Sequence, residues 1–148
     1  FIPRMEVAWD DQVLTGTSSY TEIASETYVP YFTNIRRCYQ ETDNTLFRIG
    51  VRPDFPSKSY VTSSFYLTKD RLPTSSFYSI KDAVTEETII PFDTKATKVS
   101  CDSKGSFFRL KLNTFMPERY YKIVLKIERE GGDDTQIHDD GFYFKVER

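Results

Sequence analysis

Short stretches of strictly alternating apolar and polar residues constrain the fold of this chain more than any other feature. In TLFRIGVRP, residues 45–53, the side chains of Phe47, Ile49 and Val51 fall on one face of an extended strand. The stretches RYYKIVLKIE and GFYFKVER alternate in the same way. No stretch has the period of a long amphipathic helix. We therefore expect a fold built of strands.

Turn residues separate roughly seven such stretches, without the strand–helix–strand rhythm of a parallel sheet. One of these turns is DSKG at 102–105, where Gly105 is placed for a positive φ angle. The segment 75–93 fits both a strand and a helical turn or two. Together these features predict an all-β fold, an antiparallel β-sandwich of the immunoglobulin-like or fibronectin type III-like kind.

Residues 10–34 are rich in Ser and Thr and follow neither period. A structureless segment of that length is unusual inside a compact domain. We interpret it as a long N-terminal arm or as an ordered excursion over the surface, preceded by a strand at RMEVAW. The expected organisation is a strand and extended arm over 1–44 and a sandwich body over 45–148. Because the sequence begins with Phe1, we expect a processed product, a trimmed chain or part of a longer protein.

Two adjacent tyrosines open one of the most regular strands. Pro117 follows Phe115 by two positions and precedes Tyr121 by four. This is the layout of a tyrosine corner, in which the phenol hydrogen-bonds to the backbone a few residues upstream. We therefore predict that Tyr121 and Pro117 form a structural latch. The alternation that turns Tyr121 inward directs a second set outward: Tyr120, Lys122, Val124 and Lys126.

Charge and hydropathy argue against two classes of partner. The chain carries 20 basic and 22 acidic residues, interspersed, for a net charge of -2. Such a surface offers no basic field to neutralise phosphates, so we predict no nucleic-acid partner. No apolar run approaches the roughly 20 residues that cross a bilayer, so we predict no membrane partner.

The residues that could carry chemistry are few. The one histidine, His138, lies in the polar loop EGGDDTQIHDDG, which could hold a metal or could be a solvated acidic hairpin loop; we adopt the second interpretation. The sequence contains no G-x-S-x-G and no phosphate-binding loop. For Cys38 and Cys101 we expect unpaired, mostly buried thiols, with one long-loop disulfide as the alternative. We therefore predict no enzyme and no cofactor.

Several phrases of the sequence resemble phrases found in one group of proteins. They are IKD, TEE and PFD between residues 80 and 93, PERYYKI at 117–123, the closing FKV and the opening PRMEVAWDD. With them the chain resembles virion structural proteins of contractile-tailed marine bacteriophages, including cyanophages. The resemblance implies a component of the tail, baseplate, neck or head-to-tail region. Its partners would be other virion proteins or further copies of itself, in a virion assembled in the host cytoplasm.

Aromatic side chains are the candidate contact residues, because rings are enriched at protein interfaces. Those that face outward or lie in the arm are Trp9, Tyr20, Tyr28, Tyr31, Phe32 and Tyr120. The alternative for each ring is packing within its own domain. The same rings also fit a second function, a ligand- or carbohydrate-binding β-sandwich module of a surface or fibre protein.

Overall fold

The computed structural model describes residues 22–23, 27–55, 70–129 and 134–148. These residues form nine β-strands and one short 3₁₀ helix, Leu112–Thr114. The strands are β1 (Tyr28–Phe32), β2 (Cys38–Gln40), β3 (Asn44–Pro53), β4 (Ser75–Asp82), β5 (Thr88–Ile90), β6 (Ser100–Asp102), β7 (Gly105–Lys111), β8 (Arg119–Glu128) and β9 (Thr135–Glu147). The predicted all-β class is confirmed. In the described ranges, no helix has the length and apolar character needed to span a bilayer.

The strands form two sheets that share one apolar core. The four-stranded sheet has the order β1-β3-β7-β6, and the five-stranded sheet has the order β2-β9-β8-β4-β5. All ladders are antiparallel except that of β2 with β9, which is parallel. Across the core, the rings of Tyr78 and Phe108 stack with centroids 4.0 Å apart, and Phe47 lies 5.6 Å from Phe144. This arrangement is that of a β-sandwich.

Where one face of a strand is buried, the predicted strands agree with the structure. In β3, Phe47, Ile49 and Val51 are all buried. The segment 75–93, which fitted both a strand and a helical turn, contains strand β4, which pairs with β8 along its whole length, then a turn and strand β5, which pairs with β4. In the β6–β7 hairpin, Gly105 has a φ of 118°, as predicted for its turn.

Part of the predicted N-terminal arm belongs to the sandwich. Strand β1 pairs with β3, and strand β2 pairs with β9. The body therefore begins by Tyr28, earlier than the boundary predicted at residue 45. The sequence did not reveal these strands for two reasons. Strand β1 contains Pro30, which argues against a central strand and is tolerated here because β1 is an edge strand, and β2 is only three residues long. The predicted strand RMEVAW and most of the predicted arm fall outside the described residues.

The predicted polar loop at 130–141 is largely a continuation of strand β9. Residues from Thr135 onward pair with β8, with His138 opposite Leu125. The register shifts between Ile123 and Leu125, and Gly141 has a φ of 75° at this irregularity. Its polar composition made the segment look like a loop. The bulge places Asp139 beside β8 on the outer face of the sheet.

The predicted hydrogen bond of the tyrosine corner is confirmed. The phenol of Tyr121 donates to the carbonyl oxygen of Met116 over 2.8 Å, and the ring is buried. Phe115 packs against it edge-on, with centroids 4.9 Å apart. The half-buried Pro117 lies between the two bonded positions. The latch ties the start of β8 to the loop that precedes it, whereas the immunoglobulin-like or fibronectin type III-like subtype stays a prediction.

Candidate interaction surface

Two exposed tyrosines stand on the outer face of the five-stranded sheet. Tyr120 of β8 lies opposite Lys145 of β9, and Lys122 lies opposite Tyr143. Residues opposite each other in an antiparallel pair project to the same face, so the four side chains form a block in which Tyr and Lys alternate. Tyr120 is 54% exposed and Tyr143 is 50% exposed. The tyrosine face consists of this block and the four carboxylates bound to its lysines: Glu86, Glu118, Asp139 and Glu147.

Lys122 is held by three hydrogen bonds. Its Nζ donates to both carboxylate oxygens of Glu86, at 2.8 Å each, and to Oδ2 of Asp139 at 2.9 Å. These bonds raise the pKa of Lys122, and the bonds to Glu86 contribute most to the increase. The side chain projects to the outer face, as predicted, but it is only 6% exposed. Val124, on the same face, is also buried. Alternation determines which face a side chain takes but not what covers it.

Lys145 repeats the arrangement on the neighbouring strand. Its Nζ lies 2.6 Å from Oε2 of Glu118 and 3.1 Å from Oε1 of Glu147. These hydrogen bonds raise the pKa of Lys145, and the bond to Glu118 contributes most to the increase. In return, the ammonium of Lys145 lowers the pKa of Glu147. Each lysine is thus shared between two carboxylates, and both are held in fixed positions between the tyrosine rings.

Two of the four carboxylates on the tyrosine face belong to residues with a strained backbone conformation. Among the residues that the structure describes, Glu86 at φ 58° and Glu118 at φ 62° are the non-glycine residues with positive φ. The left-handed conformation costs a non-glycine residue roughly 1–2 kcal/mol. Each of these glutamates binds one of the two lysines. The unfavourable backbone conformations therefore occur in the turns that place a carboxylate on the tyrosine face.

The candidate aromatic residues within the described ranges do not form one surface. Tyr31 is exposed on the outer face of the other sheet, where its ring lies across Gly50. Tyr28 is buried, so packing within the domain accounts for its ring. Phe32 is half-buried and packs edge-on against Phe142, with centroids 4.7 Å apart. Trp9 and Tyr20 lie outside the described residues.

Of the predicted residues that the structure describes, Tyr120 is the one that lies on the tyrosine face. Sequence reasoning missed Tyr143 as its neighbour, although the alternation of GFYFKVER directs that ring outward. It also missed the carboxylate partners, because Glu86 lies 36 positions from Lys122 in the chain. Local periodicity carries no signal for such contacts.

His138 lies beside a single carboxylate, and both cysteines are unpaired. Nδ1 of His138 lies 3.6 Å from Oδ2 of Asp140, and burial lowers the pKa of its imidazole. Within the described part of the chain, no three His, Cys, Asp or Glu residues are grouped so that they could hold a metal. Cys38 and Cys101 are free thiols. The expectation of burial is wrong for Cys38, which is exposed on the edge strand β2.

Comparisons with protein-family models, with curated proteins and with solved structures found no match to this chain.

Proposed function

We propose that this chain is a structural component of a bacteriophage virion and acts through protein–protein contacts rather than through catalysis. Its place would be the tail, the baseplate, the neck or another part of the head-to-tail region. The tyrosine face carries the proposal, since Tyr120 and Tyr143 each present about half of their surface to a partner. The resemblance of several sequence phrases to those of virion structural proteins supports the same kind of role.

Rigidity makes the tyrosine face suitable for binding. Tyrosine offers a large contact area with few rotatable bonds, so ordering it on binding costs little entropy. The neighbouring lysines are already fixed by their carboxylates at 2.6–3.1 Å. The surface that a partner meets is therefore largely preformed, which lowers the free-energy cost of association.

Incorporation into particles tests this function. A host that expresses the wild-type chain and the Tyr120→Ala/Tyr143→Ala variant in equal amounts would be infected, and the ratio of the two would be measured in purified particles. We expect the wild-type chain to exceed the variant by at least about tenfold, which corresponds to roughly 1.4 kcal/mol. A Lys95→Ala variant, altered at an exposed position in a turn, should be incorporated like the wild type. Equal incorporation of all three would contradict a role for the tyrosine face.

A second candidate function is binding of a carbohydrate or similar ligand as a module of a surface or fibre protein. The observation that favours it is the placement of two exposed rings beside exposed carboxylates on a firm sheet. Glycan-array binding that disappears in the Tyr120→Ala/Tyr143→Ala variant would support this function over the first. An array without binding would count against it.

A further inference from the structure

The outer face of the four-stranded sheet is basic. Arg109 lies opposite Leu46, and Arg48 lies opposite Phe107. The neighbouring positions Phe47 and Phe108 are buried in the core, so these side chains project to the outside. The same alternation places further residues on this side. The arginine face consists of Tyr31, Arg48, Arg52, Phe107, Arg109 and Lys111.

Most of the positive charge on the arginine face is available to a partner. Arg48 is neutralised by Asp102, whose two oxygens lie 2.9 and 2.8 Å from its guanidinium nitrogens. Arg52, Arg109 and Lys111 are exposed. Four cations and one carboxylate leave this face with a net charge of +3.

The tyrosine face has the opposite sign. Four carboxylates and two ammonium groups give it a net charge of -2. With Lys81, which lies opposite Lys122 on β4, the charge is -1. Exposure strengthens the difference, because the four carboxylate side chains are 42–63% exposed whereas Lys122 and Lys145 are 6% and 20% exposed. A partner therefore meets carboxylates and tyrosine rings.

We propose that copies of this chain associate face to back, with the arginine face of one copy on the tyrosine face of the next. The inference rests on the proposed function and names the partner. Guanidinium groups stack on tyrosine rings and pair with carboxylates, and the tyrosine face offers both. The two faces lie on opposite sheets of the sandwich. Each contact thus leaves one free face at either end, so the assembly grows into a ring or a stack.

Two variants, each blocked on one face, test this arrangement. Tyr120→Lys/Tyr143→Lys removes the rings and adds two cations to the tyrosine face. Arg109→Ala/Lys111→Ala removes two cations from the arginine face and leaves it with a net charge of +1, so that the two altered faces do not attract each other. All four positions are exposed, and far-UV circular dichroism would confirm folding. If the second variant does not fold, Arg52→Glu, also at an exposed position, replaces it.

Sedimentation velocity gives the readout. The wild-type chain should form species larger than a dimer as its concentration rises, and salt should weaken them. Each variant alone should be monomeric. An equimolar mixture should double in mass and grow no further, because one variant keeps the arginine face and the other the tyrosine face. A wild-type chain that stays monomeric, a variant that assembles alone, or a mixture that stays monomeric would overturn the proposal.

The outcome also separates this inference from the proposed function. A monomeric chain that is nevertheless incorporated into particles would overturn self-association and leave the virion role in place, with another virion protein on the tyrosine face. A chain that assembles face to back but is absent from particles would overturn the virion role and leave this inference standing.

Discussion

Lys122 donates to both carboxylate oxygens of Glu86, at 2.8 Å each, and Glu86 holds this position from left-handed backbone at φ 58°. The contact joins the turn after β4 to the middle of β8. The cation is almost fully covered, whereas its partner is more than half exposed. The two residues therefore respond differently to substitution.

Removing the carboxylates should destabilise the fold more than removing the ammonium. In Glu86→Gln/Asp139→Asn, the covered ammonium of Lys122 loses both counter-charges. In Lys122→Met, the two carboxylates that remain are exposed enough to be hydrated, and a buried apolar side chain of similar length fills the site. We expect thermal denaturation to show a larger fall in Tm for the first variant. A larger fall for Lys122→Met would contradict this account of the cluster.

The phenol of Tyr121 should contribute measurably to stability. Tyr121→Phe removes the hydrogen bond from the phenol of the buried Tyr121 to the carbonyl of Met116, which should lower the free energy of unfolding by about 0.5–1.5 kcal/mol. The neighbouring substitution Tyr120→Phe is a matched control, because that phenol is exposed and should change stability by less than about 0.5 kcal/mol. Urea unfolding of both variants measures the difference, and equal stability of the two would remove the latch from the account.

Stability should fall as the pH is lowered from 7.5 to 5.5. Burial lowers the pKa of His138 below its unfolded value of about 6.5, and nearby Asp140 opposes the shift less strongly. The unfolded chain then binds more protons in this range, so stability is complete above the unfolded pKa and is lost below it. His138 is the one histidine of the chain, and His138→Gln should flatten the dependence. Urea unfolding at several pH values provides the test, and an equal slope in the variant would contradict it.

Gly50 and Tyr31 should be energetically coupled. A Cβ atom at Gly50 would overlap with the Tyr31 ring, so Gly50→Ala must displace that ring from the sheet. The alanine substitution should therefore be better tolerated in a Tyr31→Ala background. We expect a double-mutant cycle to give a coupling of about 0.5–3 kcal/mol, and additive effects would show that the ring does not pack on the glycine.

The core faces of several strands could be predicted from sequence because one side is apolar and the other polar. This holds for Phe47, Ile49 and Val51 in β3. The hydrogen bond of Tyr121 was predictable too, since donor and acceptor are five residues apart. Both signals are local, and each needs only a short window of sequence.

Other features depend on contacts that no local pattern encodes. Strand β2 exists because it pairs with β9, where Cys38 lies opposite Lys145. The burial of Lys122 depends on one carboxylate from the turn after β4 and one from the bulge in β9. Sequence periodicity could therefore identify Tyr120 as an outward ring but not the ion pairs that surround it.

Quantitative mass spectrometry of purified particles would show whether this chain is a structural component of the virion. Virus particles from the source of this sequence would be banded by density and cross-linked, and the peptides of this chain would be counted against those of known tail and capsid proteins. We expect the chain to be present in a fixed ratio to them and to be cross-linked through exposed lysines such as Lys95 and Lys111. Absence of the chain from particles that contain the full set of tail proteins would contradict a structural role in the virion.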